Sequence, residues 1–200
     1  SVKPYQPRGI WEAATSGRGL TKYIQDHGDD LYRRTMYTFI KRTVPPPSML
    51  VFDASNRDLC EVRRLKTNTP LQALVTLNDP QFVEAARAFG QRIVKSAPSP
   101  AERVAFAVKA ALGRPATERE TDLLVKLAAA QRQRFEASPD KASALLAVGE
   151  SPRDVSIPPA EHAAWMLVAS TVMMRGINRA GGGTGFKVVR NRLDPSAEYE

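Results

Sequence analysis

The sequence has few of the residues from which metal, haem and disulfide sites are built. It contains one cysteine, Cys60, and two histidines, His27 and His162, among 200 residues. A lone cysteine excludes an internal disulfide, a cysteine-based zinc site and a C-x-x-C-H haem attachment within this chain. The two histidines stand far apart without cysteine partners, so neither is expected to bind a metal. Cys60 is predicted to be a small buried hydrophobe, with a reactive thiol as the alternative because Arg63 and Arg64 lie one helical turn away.

Long apolar runs, phosphate loops and calcium loops are missing as well. The longest apolar stretch, residues 163–170, is too short to span a membrane. The glycine-rich residues 181–185 follow a predicted helix and lack the Lys-Ser/Thr of a phosphate-binding loop. Asp53 and Asp58 lack the glycine and the glutamate of a calcium loop, so a local Asx-turn is predicted instead. No nucleophile elbow is present either, and no catalytic residue can be assigned.

The composition is that of a folded protein with a basic bias. Hydrophobic residues make up 42% and charged residues 25% of the chain, which is typical of a packed globular domain. The net charge is +8. Residues 1–100 carry 15 basic and 9 acidic residues, and residues 101–200 carry 14 and 12, so most of the excess lies in the first half. A basic first half favours an anionic partner.

Helix-start signals recur from residue 69 onwards and predict an all-α fold. A capping residue followed by proline opens a helix, because proline lacks the backbone N–H that the first turn leaves unpaired. A Thr followed three residues later by Glu forms a capping box with the same effect. The predicted helices begin at Pro70, Pro80, Pro100, Thr117, Pro139 and Pro159, and those with a predicted end reach about Leu77, Lys95, Phe135, Val148 and Arg175. Their predicted buried residues are Phe82, Val83, Ala86, Phe89, Gly90, Ile93, Val104, Val108, Ala111, Leu112, Leu123, Leu124, Leu127, Ala128, Trp165, Met166, Ala169, Val172 and Met173.

The N-terminal part is less regular. Residues 1–30 are predicted to be extended and anchored by Ile10, Trp11 and Tyr23. A further helix is predicted from Asp29 or Asp30 to about Arg42, with Leu31, Thr35, Met36, Phe39 and Ile40 on its buried side. The triple proline at 45–47 ends it, and the following connector is predicted to direct Met49, Leu50 and Phe52 inward.

The predicted architecture is an irregular all-α bundle of five to seven helices. An extended N-terminal segment and a flexible C-terminal tail accompany the bundle. The predicted division is residues 1–30 for the extended segment, 31–175 for the helical domain and 176–200 for the tail.

A basic and polar surface is the strongest interaction candidate. If both basic clusters share a face, they form a cationic patch flanked by Tyr32, Tyr37 and Phe39, which would dock an acidic protein or an anionic glycan. The alternative is internal pairing with Asp53, Asp58 or Glu61. Specific nucleic-acid binding is not predicted, because no recognised module accompanies the charge. The candidate residues are Arg33, Arg34, Arg57, Arg63, Arg64, Lys66, Asn68, Thr69, Gln72, Asn78 and Asp79, with Lys41 and Arg42 upstream.

The words YRRTMYTFIKRTVPPPSMLVFDASNRDLCEVRR, TNTPLQALVTLNDPQFVEAARAF and ALGRPATERE resemble the planctomycete-specific domain of unknown function 1553, from about Ser1 to Thr171. The resemblance implies a mainly helical module in large exported bacterial proteins, often beside a c-type cytochrome-like region. It therefore implies an extracytoplasmic setting and other domains of the same polypeptide as partners. Any haem would belong to those domains, and no cofactor is expected here. The chain lacks an initiator Met and a signal peptide, and is expected to be the C-terminal part of a longer protein.

Three functions remain open from the sequence. The first is a non-catalytic accessory or docking module. The second is part of a hydrolytic or surface-polysaccharide enzyme whose site is completed by an upstream region, with Asp53, Asp58 and Arg64 as contributors. The third is a basic polyanion-binding module.

Overall fold

The fold is known from a computed structural model that describes residues 1–13, 22–55, 62, 67 and 69–180. These residues form eight α-helices, two short 3-10 helices and two isolated bridges, without a β-strand. The predicted all-α class is confirmed. The α-helices are α1 Ile10–Ala13, α2 Pro47–Val51, α3 Pro70–Asn78, α4 Pro80–Ser96, α5 Pro100–Leu112, α6 Glu118–Glu136, α7 Pro139–Leu146 and α8 Pro159–Ala180. The 3-10 helices are Gly28–Tyr32 and Thr35–Tyr37.

The six predicted helices are present because their start signals act locally. Proline occupies the first position of α3, α4, α5, α7 and α8. Asp79 Oδ1 accepts a hydrogen bond of 2.9 Å from the backbone N–H of Gln81, which caps α4. Thr117 and Glu120 form the predicted capping box of α6. The last helix continues through Ala180, five residues beyond its predicted end, while residues 181–200 of the predicted tail lie outside the described part.

The central element of the bundle is α8, which packs against every helix from α3 to α7. Its side chains Trp165, Met166, Val168, Ala169 and Val172 are buried in one apolar core. The other contributors to this core include Phe82, Phe89 and Ile93 of α4, Val104 and Val108 of α5, Ala128 and Phe135 of α6, and Leu146 of α7. The predicted core is largely confirmed.

The helix predicted from Asp29 or Asp30 to about Arg42 is wrong. This segment forms the two 3-10 helices and then runs extended, because its backbone pairs with the chain start. The backbone N–H of Val2 donates to Tyr37 O at 2.8 Å, and the N–H of Phe39 donates to Val2 O at 2.8 Å. A helix would need these donors and acceptors for its own i to i−4 bonds. Met36, predicted to be buried, is therefore exposed.

Two leucines predicted to be buried lie at the surface. Residues 47–51 form the short helix α2 rather than an extended connector, and it buries Met49 while Leu50 points to solvent. Leu123 lies on the outer side of the first turns of α6 and is 57% exposed. Leu50 follows Met49 on a helix and therefore points about 100° away from it, whereas the hydrophobic spacing of α6 spans a wider arc than the neighbouring helices cover.

Residues 1–13 and 22–46, here called the N-terminal layer, cover one side of the bundle. The buried Trp11 ring contacts the rings of Tyr23 and Phe39, with centroids 5.2 and 5.9 Å away. The ammonium of Lys41 lies 4.7 Å above the Trp11 ring, a cation–π contact. Trp11 and Tyr23 therefore serve as the anchors that the sequence predicts.

Candidate interaction surface

Helix α3 has reversed amphipathicity. Its buried side chains are the polar Gln72, which is 1% exposed, and Thr76, and Val75 is partly buried against the core. Its outward side chains are Leu71, Leu74 and Leu77, which remain 58%, 56% and 49% exposed. A surface helix ordinarily turns its apolar stripe towards the core, because burying a leucine stabilises a fold by about 1.5–3 kcal/mol. The reversal leaves an apolar surface open to solvent.

A network of hydrogen bonds fixes α3 in this orientation. The Gln72 Nε2 donates to Val51 O at 3.0 Å and to Thr67 O at 3.1 Å, and Gln72 Oε1 accepts from the Thr69 N–H at 3.4 Å. The Thr67 backbone N–H and hydroxyl donate to the Asp53 carboxylate at 2.8 Å. Rotating α3 to bury its leucines would break these bonds and leave buried polar groups unsatisfied, at about 1–3 kcal/mol each.

The end of α3 is fixed in the same way. Thr76 donates its hydroxyl proton to Ala73 O, and Asn78 Nδ2 donates to Leu74 O, both at 2.8 Å. Asp79 then turns the chain into α4. Burial raises the pKa of the Asp79 carboxyl above its usual value, and the Gln81 N–H partly opposes that rise.

The predicted candidate residues occupy several different environments. Arg33 and Arg34 are exposed, and Arg33 Nε pairs with Asp30 Oδ1 at 3.1 Å. Thr69, Gln72, Asn78 and Asp79 hold α3 and the start of α4 in place through the bonds given above. The remaining candidates, Arg57, Arg63, Arg64, Lys66 and Asn68, lie outside the described residues, as do Asp58 and Cys60.

A buried polar cluster was not predicted from the sequence. Glu84 of α4 is 1% exposed, and its carboxylate accepts hydrogen bonds from Tyr32 Oη at 2.8 Å, Tyr5 Oη at 3.5 Å and the Ser151 N–H at 2.5 Å. Arg87 Nη2 lies 3.5 Å from Glu84 Oε1. These five residues, here called the polar hub, join the N-terminal layer, α4 and the loop before α8. In the sequence, the cluster is indicated by the charged residues Glu84 and Arg87 within the otherwise apolar run FVEAARAF.

The polar hub has the properties of a structural clasp. Burial and the Glu84 charge raise the pKa of Tyr5 to about 12, and the pKa of Tyr32 is raised further for the same reasons. Both phenols therefore keep their protons and remain donors at neutral pH. Arg87 Nη2 donates to both the backbone oxygen and the hydroxyl of Ser151 at 2.6 Å, so the guanidinium is held between α4 and the loop.

A cleft of about 350 Å³ lies between α5, α6 and α8. Trp165, Val125 and Ala128 are among its apolar lining residues. Its charged side chains pair with each other: Arg103 Nη1 lies 2.7 Å from Glu161 Oε1, and Arg132 Nε lies 2.8 Å from Glu136 Oε1.

The residues that the structure describes hold neither a metal-binding cluster nor a membrane-spanning helix. They contain no group of three or more His, Cys, Asp or Glu side chains that could hold a metal ion. No helix among them is long and apolar enough to cross a membrane.

A model of the family described as "Protein of unknown function (DUF1553)" matches residues 1–128, more than half of the chain. The chain belongs to this family. Searches of curated proteins and of solved structures found no match. The DUF1553 match includes α3 and the Glu84–Arg87 pair, and it ends inside α6, short of the predicted limit at Thr171.

Proposed function

We propose that this DUF1553 chain is an accessory docking module of a larger exported bacterial protein. Its docking surface is the outward side of α3, formed by Leu71, Leu74 and Leu77. The orientation of α3 carries the proposal, because a network of hydrogen bonds holds Gln72 and Thr76 inward and leaves the three leucines on the opposite side in contact with water. An apolar surface that the hydrogen bonds of the fold keep exposed is typical of an interaction site.

The charge pattern around α3 defines the chemistry of the partner. No charged residue occurs between Thr67 and Asn78, whereas the preceding residues 57–66 carry Arg57, Arg63, Arg64 and Lys66 against two acidic residues. Protein interfaces commonly have an apolar centre and a polar rim. The partner is therefore an apolar patch that also carries carboxylates, located on another domain of the same polypeptide.

The cellular setting is part of the same proposal. Membership of the DUF1553 family supports an extracytoplasmic protein in which this module accompanies a c-type cytochrome-like domain. The haem would be attached to that neighbouring domain, and this chain would supply contacts that position it.

Hydrogen exchange of the α3 amides tests the docking surface. In the full-length natural polypeptide we expect the α3 amides to exchange at least tenfold more slowly than in the 200-residue chain, because docking protects them. The triple substitution Leu71→Ser, Leu74→Ser and Leu77→Ser should abolish this difference. It should leave the fold of the isolated chain intact, because these side chains are half exposed.

The matched control is Leu123→Ser, since Leu123 is 57% exposed on α6 and lies outside the proposed surface. This substitution should leave the α3 protection of the full-length protein unchanged. Equal α3 exchange in the full-length protein and the isolated chain would refute the proposal.

A second candidate, polyanion binding, is favoured by residues 33–42. This stretch contains four basic residues and no acidic residue. Arg34 and Arg42 are exposed, and neither forms an ion pair within the described part of the chain. Retention on a heparin-like polymer should fall steeply with salt and fall further in Arg34→Ala/Arg42→Ala. The matched control Arg119→Ala/Arg134→Ala removes two exposed charges from α6, and equal effects of both pairs would contradict a specific site.

A further inference from the structure

His162 lies in the first turn of α8 with no exposed surface. Its Nε2 is 3.0 Å from the backbone oxygen of Arg87. A carbonyl oxygen only accepts, so Nε2 carries the proton and the neutral ring is unprotonated at Nδ1. This Nδ1 is buried, and it has no hydrogen-bond partner among the residues that the structure describes. A second proton would therefore enter a buried position without an acceptor among the described residues.

The charged groups that face His162 disfavour that second proton. They are Arg87 from α4 and, from the loop between α7 and α8 (residues 147–158), Arg153 and Asp154. Burial is the largest cause and lowers the pKa of His162, and the two guanidinium groups lower it further. The hydrogen bond to Arg87 O and the Asp154 carboxylate oppose this shift without cancelling it. Asp154 is itself paired with Lys95.

Arg87 connects His162 to the N-terminal layer. Its guanidinium donates to Ser151 at 2.6 Å and to Leu146 O at 3.4 Å, which secures the start of the loop. Ser151 and Arg87 both contact Glu84, and the Glu84 carboxylate in turn holds Tyr5 and Tyr32 of the layer. The attachment at these points is polar, whereas the helices beneath them are joined by an apolar core.

We infer that the chain contains an acid-sensitive clasp, in which a proton on His162 opens the loop 147–158 and releases the N-terminal layer from the bundle. Opening the loop brings Nδ1 into contact with water and moves Arg153 away from the new charge. The same movement breaks the hydrogen bonds of Ser151 with Glu84 and Arg87, so the polar hub no longer joins the loop to α4 and the N-terminal layer. The apolar core has no group that titrates in this range and stays folded.

The direction of the pH dependence follows from the lowered pKa. An open or unfolded form takes up a proton near the ordinary histidine value of about 6.5, whereas the closed form resists it. The closed form is therefore most stable above about pH 6.5 and loses stability as the pH falls towards the pKa of the closed form. Ordinary carboxylates titrate near pH 4, below this window.

The two tryptophans report separately on the two parts, because Trp11 is buried in the N-terminal layer and Trp165 in α8. Their indole N–H signals can be followed by NMR in the complete chain from pH 7.5 to 5.0. The Trp11 ring packs on Tyr23 and Phe39 within the layer, so we expect its signal to shift and its exchange with water to rise as the layer loses its attachment to the bundle. The Trp165 signal should remain that of a buried ring.

The substitution His162→Gln keeps a donor for Arg87 O but cannot take up a proton, so it should abolish the Trp11 transition. Arg153→Gln, at a half-buried loop position, should shift the transition to lower pH because the closed form then tolerates the His162 charge better. The control is His27→Gln: His27 Nδ1 lies 2.6 Å from Glu150 Oε1 at the surface, and its loss should leave the transition in place.

Three results would overturn the inference. The first is the absence of any Trp11 transition in the native chain. The second is a transition that survives His162→Gln or disappears in His27→Gln, since the surface pair would then be the trigger. The third is a simultaneous change of Trp11 and Trp165, which would mean unfolding of the whole bundle.

Discussion

Replacing Gly90 with alanine is expected to destabilise the fold by about 2–3 kcal/mol, close to the upper range for overpacking in a core. A Cβ on Gly90 would lie 2.8 Å from both the Cα and the N of Met166 and 3.1 Å from the carbonyl carbon of Trp165. These are backbone atoms of α8, so no side-chain rotation can relieve the clash. Helices α4 and α8 would have to separate, and the denaturant midpoint should fall accordingly.

The matched control is Gly176→Ala, which adds the same methyl group to a glycine of α8. Its Cβ would lie 3.2 Å from Leu112 Cδ2, the end of a flexible side chain. Alanine also favours a helix over glycine by about 0.8–1 kcal/mol, so this variant should be neutral or slightly more stable. Equal losses at both positions would contradict the close approach of α4 and α8.

Removing the charge of Glu84 should have the largest effect. The variant Glu84→Gln leaves Arg87 buried without its counter-charge, and breaking a buried ion pair in this way costs about 3–5 kcal/mol. The amide keeps one oxygen for the Tyr32 hydroxyl and the Ser151 N–H, which both donate to Oε1, but it places an NH2 group at Oε2, where the Tyr5 hydroxyl donates. Thermal or chemical unfolding measured at pH 7.5 checks the prediction, since His162 is then neutral.

The comparison variant is Glu136→Gln, which removes the carboxylate of the exposed Arg132–Glu136 pair on α6. Solvent screens that pair, and its loss should hardly move the unfolding midpoint. If Glu84→Gln were as mild as Glu136→Gln, the polar hub would not be a main attachment of the N-terminal layer.

The sequence predicts the six longer helices well because their start signals are local. Thr117 and Glu120, for example, are three residues apart and satisfy each other's backbone donors wherever the helix packs. The segment 29–42 fails for the opposite reason. Its backbone pairs with Val2, more than thirty residues away in the sequence, and no periodicity within the segment contains that information.

The exposed leucines of α3 were not predicted from the sequence. From the sequence, Gln72 belongs to a candidate polar surface, which is the usual place for a glutamine, and no burial is predicted for the leucines of α3. The partners that draw Gln72 inward, Val51 O and Thr67, lie upstream and meet it only in the folded chain. Glu84 is similar, because its partners come from Tyr5, Tyr32 and Ser151 in three distant segments.

The position of α8 also determines when the protein can fold during its synthesis. This helix is made after α1–α7, yet it supplies the shared contact surface for α3 to α7. Until it has left the ribosome, Phe89 and Ile93 of α4 lack the partner that buries them. Long-range contacts of this kind slow folding and keep apolar surface exposed on the nascent chain. We therefore expect ribosome-bound chains that end before Pro159 to recruit chaperones and to be digested readily by proteases, and chains that extend well past Ala180 to become resistant.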